Sequence, residues 1–108
     1  MFRQTKRVES LLAAEIHDMM SRDAITLIDV REPNEFANGH VAKALNFPLS
    51  RFDPTALPQT GGPIVLYCAV GKRSAMAAEA CRRAEVAIAG HMEGGLSEWT
   101  RIGLKLAI

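Results

Sequence analysis

Cys68 closes the short apolar run Ile64, Val65, Leu66 and Tyr67, and is followed by Ala69, Val70, Gly71, Lys72, Arg73 and Ser74 before an alanine-rich stretch begins. A strand that ends in a thiol and turns at once into a helix sets that sulfur against free backbone N–H groups and beside two cations. A free cysteine ionises near pH 8.5, so only a few per cent is thiolate at neutral pH. Each unit of depression contributes about 1.4 kcal/mol toward the ionised form, and a helix N-terminus supplies roughly 0.3–2 kcal/mol of it. Loop amides and neighbouring cations add more, and thiols in such settings ionise at about 3.5–7.5. The same ring of donors makes a place for a small dianion. Gly71 lets the loop curl through positive φ, which turns the amides of residues 69–74 inward as an anion nest. The chemistry on offer is nucleophilic attack by sulfur.

Each of these residues also has a plainer reading. A cysteine at a strand end is often just a small buried apolar residue; Gly71, Arg73 and the helix start shift Cys68 toward nucleophile. Arg73 offers a planar fork for two oxygens, against a simple surface ion pair. Lys72 is a point charge, either guiding a ligand or solvated. Ser74 either donates to bound sulfur or caps the helix start, and capping is the preferred reading. Cys81, on the apolar side of the following helix, reads as core. Asp29, Arg31 and Glu35 read as a polar network holding strand ends and loops in register. His40 reads as a hydrogen-bonded structural residue and Trp99 as a packing anchor, while His17 and His91 have no partner pattern, so no metal site is expected.

The elements that must position the thiol follow from apolar runs and punctuation. Strands are expected at residues 8–12, 25–30, 44–47, 64–67 and 86–89. Helices are expected at residues 13–20, 33–37, 73–84 and 96–102, with Ala77, Ala80, Cys81 and Ala84 as a narrow apolar face. Residues 50–58 read as a loop with one helical turn, and Gly61-Gly62-Pro63 and Gly94-Gly95 as breaks. Short apolar strands alternating with helices imply a parallel sheet covered on both faces. Ligands of such sheets gather beyond the C-terminal strand ends, where Cys68 sits.

The bulk numbers agree with this reading. A chain of 108 residues makes one domain with a core at about residues 8–104. With 48% hydrophobic and 23% charged residues and a net charge of +1 it is an ordinary globular composition, without the basic stripe of a nucleic-acid binder. Two cysteines do not make a disulfide framework and suit a reducing compartment. Apolar residues 11–14 are too few for a signal-peptide core. The expectation is a soluble cytoplasmic protein.

Three motifs then carry a family resemblance. They are Leu27-Ile28-Asp29-Val30-Arg31-Glu32-Pro33-Asn34-Glu35-Phe36 running into Gly39-His40-Val41 and Ala44-Leu45-Asn46; the loop from Cys68 to Ser74; and Gly94-Gly95-Leu96-Ser97-Glu98-Trp99. In this order and spacing the chain resembles a single-domain rhodanese, a sulfurtransferase. The resemblance implies an α/β fold with a five-stranded parallel sheet and helices on both faces. It implies a catalytic Cys68 that carries a persulfide, with Ala69, Val70, Gly71, Lys72, Arg73 and Ser74 binding substrate. The donor would be thiosulfate or a related persulfide, and the acceptor a thiol or cyanide, with thioredoxin, glutathione or a dedicated sulfur-carrier protein as candidates. No cofactor, nucleic acid or membrane is implied. Two other uses of the fold stand beside this one: a non-catalytic binding module, which typically lacks the cysteine, and a phosphatase or arsenate reductase. Phosphatases that resemble this domain carry a loop one residue longer, and Ser74 occupies the place where their arginine would fall.

Overall fold

A computed structural model describes residues 8–108. Its elements in chain order are β1 (Ser10–Leu11), α1 (Ala13–Ser21), β2 (Thr26–Asp29), α2 (Pro33–Ala37), β3 (Leu45–Asn46), β4 (Ile64–Tyr67), α3 (Lys72–Arg83), β5 (Gly90–Met92) and α4 (Gly95–Arg101). Two 3-10 turns, Leu49–Arg51 and Pro54–Ala56, bridge β3 and β4 where one turn was expected. The five strands form one sheet in the order β1-β5-β4-β2-β3, and every pair is parallel.

β2 and β4 form the centre. Val65, Leu66 and Tyr67 are fully buried, as are Leu27, Ile28 and Asp29. Alternation sends successive side chains to opposite faces. Ile64, Leu66 and Cys68 join Ala77, Ala78 and Cys81 of α3 in one cluster. Val65 and Tyr67 meet Ala13 and Ile16 of α1 and Leu96 and Trp99 of α4 in the other. The expected helices on both faces are present. Trp99 anchors the second cluster, and its indole N–H reaches the Lys105 carbonyl at 2.9 Å. His40 is structural as expected: Nδ1 pairs with the Phe36 carbonyl at 2.8 Å. Its backbone also forms an antiparallel bridge to Ala107, which lays the C-terminal tail on the domain.

Three expectations need correction. The last strand lies at Gly90–Met92, not at residues 86–89. Val86 and Ile88 pack onto the α3 cluster as an irregular approach, and the ladder starts only where the Ala89 N–H meets the Ile64 carbonyl at 2.7 Å. Apolar content marked the approach; Gly-His-Met, the true strand, hides its pairing in backbone. The first strand likewise shortens from residues 8–12 to Ser10–Leu11. The buried face of α3 is Ser74, Ala77, Ala78 and Cys81, whereas Ala80 is half-buried and Ala84 is exposed. The helix begins and ends one residue earlier than expected, which leaves Ala84 as its C-cap.

Asp29 and Arg31 lock the C-terminal end of β2. The Asp29 carboxylate accepts the Arg31 backbone N–H at 2.8 Å and grips its guanidinium with Oδ2 2.8 Å from Nη2. The same Nη2 donates to the Gly39 carbonyl at 2.7 Å, and both residues are buried. Among the described residues no helix is long and apolar enough to cross a membrane.

Candidate active site

The loop after β4 folds back over the Cys68 sulfur. Gly71 caps α3 with φ 108°, a left-handed conformation that an L side chain rarely adopts. Its N–H donates to Sγ at 3.1 Å, and the Ser74 N–H, one of the first amides of α3 without a helical partner, donates at 3.3 Å. The Ser74 hydroxyl stands 3.6 Å from the same sulfur. Burial pushes this thiol up. The Ser74 amide, the Ser74 hydroxyl and the amides of Gly71 and Val70 outweigh that and bring it below the ordinary cysteine value. Cys81 shows the contrast: with burial alone acting on it, its thiol is pushed up to about 11. Both cysteines are free.

The loop is held from behind by α4. The Leu96 N–H donates to the Cys68 carbonyl at 2.9 Å and the Ser97 N–H to the Ala69 carbonyl at 2.9 Å. A trans peptide points its N–H opposite to its C=O, so these two bonds turn the amides of Ala69 and Val70 the other way, to the sulfur side. The contact needs Gly95: with φ 58°, a Cβ there would stand 2.4 Å from the Cys68 carbonyl oxygen. Gly94-Gly95 is thus part of the site. Gly95→Ala is expected to lower stability by about 2–3 kcal/mol through left-handed strain and the clash, and to slow alkylation of Cys68. Thermal melts and iodoacetamide kinetics check it; an unchanged melt and an unchanged rate together would show that α4 does not hold the loop.

Arg73 does not hang free. Its guanidinium is bidentate on Glu35 of α2, with Nη1 to Oε1 at 2.7 Å and Nη2 to Oε2 at 3.0 Å. That hydrogen-bonded guanidinium holds the Glu35 carboxyl at about 2. The expected Asp29–Arg31–Glu35 network therefore divides into an Asp29–Arg31 pair and a Glu35–Arg73 pair. Val70 on the loop and Lys72 at the start of α3 are exposed, Ala69 is half-buried, and Cys68 itself is buried.

Ser74 departs from the preferred capping reading. Gly71 holds the cap position, and the Ser74 side chain instead faces the thiol and, at 2.8 Å, Nδ1 of His91. His91 is a neighbour of the site that sequence reasoning missed, since no motif contains it and its strand was misplaced. The only signal was its position four residues before Gly95. A groove of about 470 Å³ between Val8, Ala78, Val86 and Ile88 lies away from the site, toward the opposite end of α3.

Comparison with known proteins agrees with the geometry. The family model described as "Rhodanese-like domain" matches residues 12–102. An uncharacterised protein of Synechocystis sp. is 43% identical over 90 residues, which is 82% of this chain and 50% of that relative, so the chain spans about half the length of the relative. A rhodanese-related protein of Thermoplasma volcanium superposes with a TM-score of 0.79 at 32% identity, over 91% of this chain and 96% of the other. The human single-domain sulfurtransferase TSTD1 shares the fold, with a TM-score of 0.72 at 24% identity over 85% of this chain and 95% of that one.

Proposed function

Because the chain belongs to the rhodanese-like domain family, a family of sulfur-transfer proteins, we propose that it moves sulfane sulfur through a persulfide on Cys68. The observation that carries this reading is the cradle of amides and hydroxyl around Sγ. The Cys68 thiolate attacks the outer sulfur of thiosulfate or of an alkyl persulfide, the donor S–S bond breaks, and its electron pair leaves with sulfite or the donor thiolate. The donors that hold a thiolate then hold the terminal persulfide anion. An acceptor thiolate or cyanide attacks the terminal sulfur and restores the thiolate. Thioredoxin, glutathione or a carrier protein fits the acceptor role, and a cytoplasmic setting keeps both thiols reduced.

Thiosulfate brings two negative charges to the loop. Lys72 supplies exposed positive charge there. Arg73 grips donor oxygens only by exchanging them for Glu35. Ala69, Val70 and Gly71 contribute backbone rather than side chain. The phosphatase use of the fold is disfavoured by Ser74, which fills the position of the longer loop's arginine and is buried. A purely binding module has no use for a thiol held below its ordinary ionisation range.

The test is to incubate the protein with thiosulfate, and separately with an alkyl persulfide, and to weigh it. The expected result is a gain of one sulfur localised to Cys68. A folded sample that gains none from either donor leaves the binding module ahead, and hydrolysis of an aryl phosphate would favour the phosphatase.

A further inference from the structure

His91 sits in β5 in register with Ser10 of β1 and Leu66 of β4, and meets the sulfur cradle through the Ser74 hydroxyl. Its Nδ1 stands 2.8 Å from the Ser74 oxygen, and that oxygen stands 3.6 Å from Sγ of Cys68. The three groups form a chain with one consistent direction. With the imidazole proton on Nε2, the protonated thiol donates to Oγ and Oγ–H donates to the Nδ1 lone pair. The competing acceptor for the hydroxyl, the Gly71 carbonyl, is farther away at 3.2 Å.

The geometry points to a proton path from Cys68 through Ser74 to His91, which makes His91 the positioning residue that receives the thiol proton when Cys68 becomes a nucleophile. The proton on Sγ passes to Oγ as the proton of Oγ passes to Nδ1. A thiolate and an imidazolium result, and no electron changes hands. The thiolate then attacks the donor sulfur as described above, so the use of the path rests on the sulfur-transfer reading while its geometry does not. Burial lowers the His91 imidazole below its ordinary value, against the opposing charge of Glu93 in the turn after β5. The ring is therefore neutral near pH 7, with its lone pair open to the hydroxyl. Among the described residues the other elements around it bring no further titrating partner: β1 offers Ser10, the Glu9 carbonyl just before β1 accepts the His91 backbone N–H at 2.9 Å, and β4 offers Leu66. α3 offers Ser74, with the Arg73 cation committed to Glu35.

Coupled groups titrate as a pair, in two macroscopic steps. The experiment follows the rate of Cys68 alkylation by iodoacetamide against pH, over about pH 4 to 10, in Cys81→Ser backgrounds. The wild-type profile is expected to show two inflections. His91→Asn keeps a polar side chain but removes the titration, and Ser74→Ala breaks the path while leaving the imidazole and the Ser74 amide in place. Both are expected to give a single inflection and a rate about tenfold lower below pH 6, the loss of about one unit of thiol ionisation. A second inflection persisting in either variant, or a wild-type profile with only one, overturns the path. Sulfur loading is weighed in parallel: its absence from wild type with the two inflections present sinks the sulfur-transfer reading alone.

Discussion

Cys68→Ser is expected to abolish sulfur loading, whereas Cys81→Ser is expected to load one sulfur as the wild type should. A hydroxyl in the cradle is no substitute, because its ionisation lies far above neutral pH and it forms no persulfide. The amides of Gly71 and Ser74 would hydrogen-bond a serine oxygen without making it nucleophilic. Cys81 packs among Ile64, Leu66 and Ala77, and burial holds its thiol protonated. Its replacement is therefore a packing change, read as a lower melting temperature and not as lost chemistry. Intact-protein mass spectrometry after incubation with a sulfane donor separates the two. Equal loss of loading in both variants would overturn the assignment of Cys68 as the sole carrier.

The second large effect concerns stability. Asp29→Ala is expected to destabilise the fold by about 3–5 kcal/mol, because it strands the Arg31 guanidinium in the interior. Total stability for such a domain is about 5–15 kcal/mol, so the variant approaches the limit of folding. Arg31 would keep only the Gly39 carbonyl, at 2.7 Å, and the Tyr67 ring, 5.9 Å from its Cζ. Urea unfolding measures the loss. Removing both charges, as Asp29→Leu with Arg31→Met, is expected to recover most of it, since no unpaired ion then remains buried. A loss below about 1 kcal/mol in the single variant would mean that water reaches the arginine.

What was legible in the sequence was local. The strand at 64–67, the turn through Gly71 and the helix behind it are consecutive residues whose propensities agree. The family motifs follow the same logic, and they placed the thiol, the fold and the sheet correctly. What escaped depends on distance along the chain. The Glu35–Arg73 pair joins residues 38 apart, and no pattern in either segment announces the other. Gly94-Gly95 reads as a break before a helix; only the packed structure reveals that α4 rests its first amides on the carbonyls of Cys68 and Ala69. His91 escaped for a further reason. β5 pairs with β4 at a glycine and a histidine, so hydrophobicity pointed four residues too early. Ser74 was misread because a serine at a helix start is most often a cap, and here the glycine before it had already taken that place.

The bonds from Leu96 and Ser97 have one more consequence. An enzyme whose donors must swing inward to meet a new charge spends part of its stabilising power on that rearrangement. Here the peptide planes beside Cys68 are already clamped from the far side, so in the sulfur-transfer reading proposed above the cradle would be preorganised for a negative sulfur and would need little reorganisation. The loop is tied at its back by Leu96 and Ser97 and at its front by its own bonds to the sulfur, so its width is set by the packing of α4 as well as by its own residues.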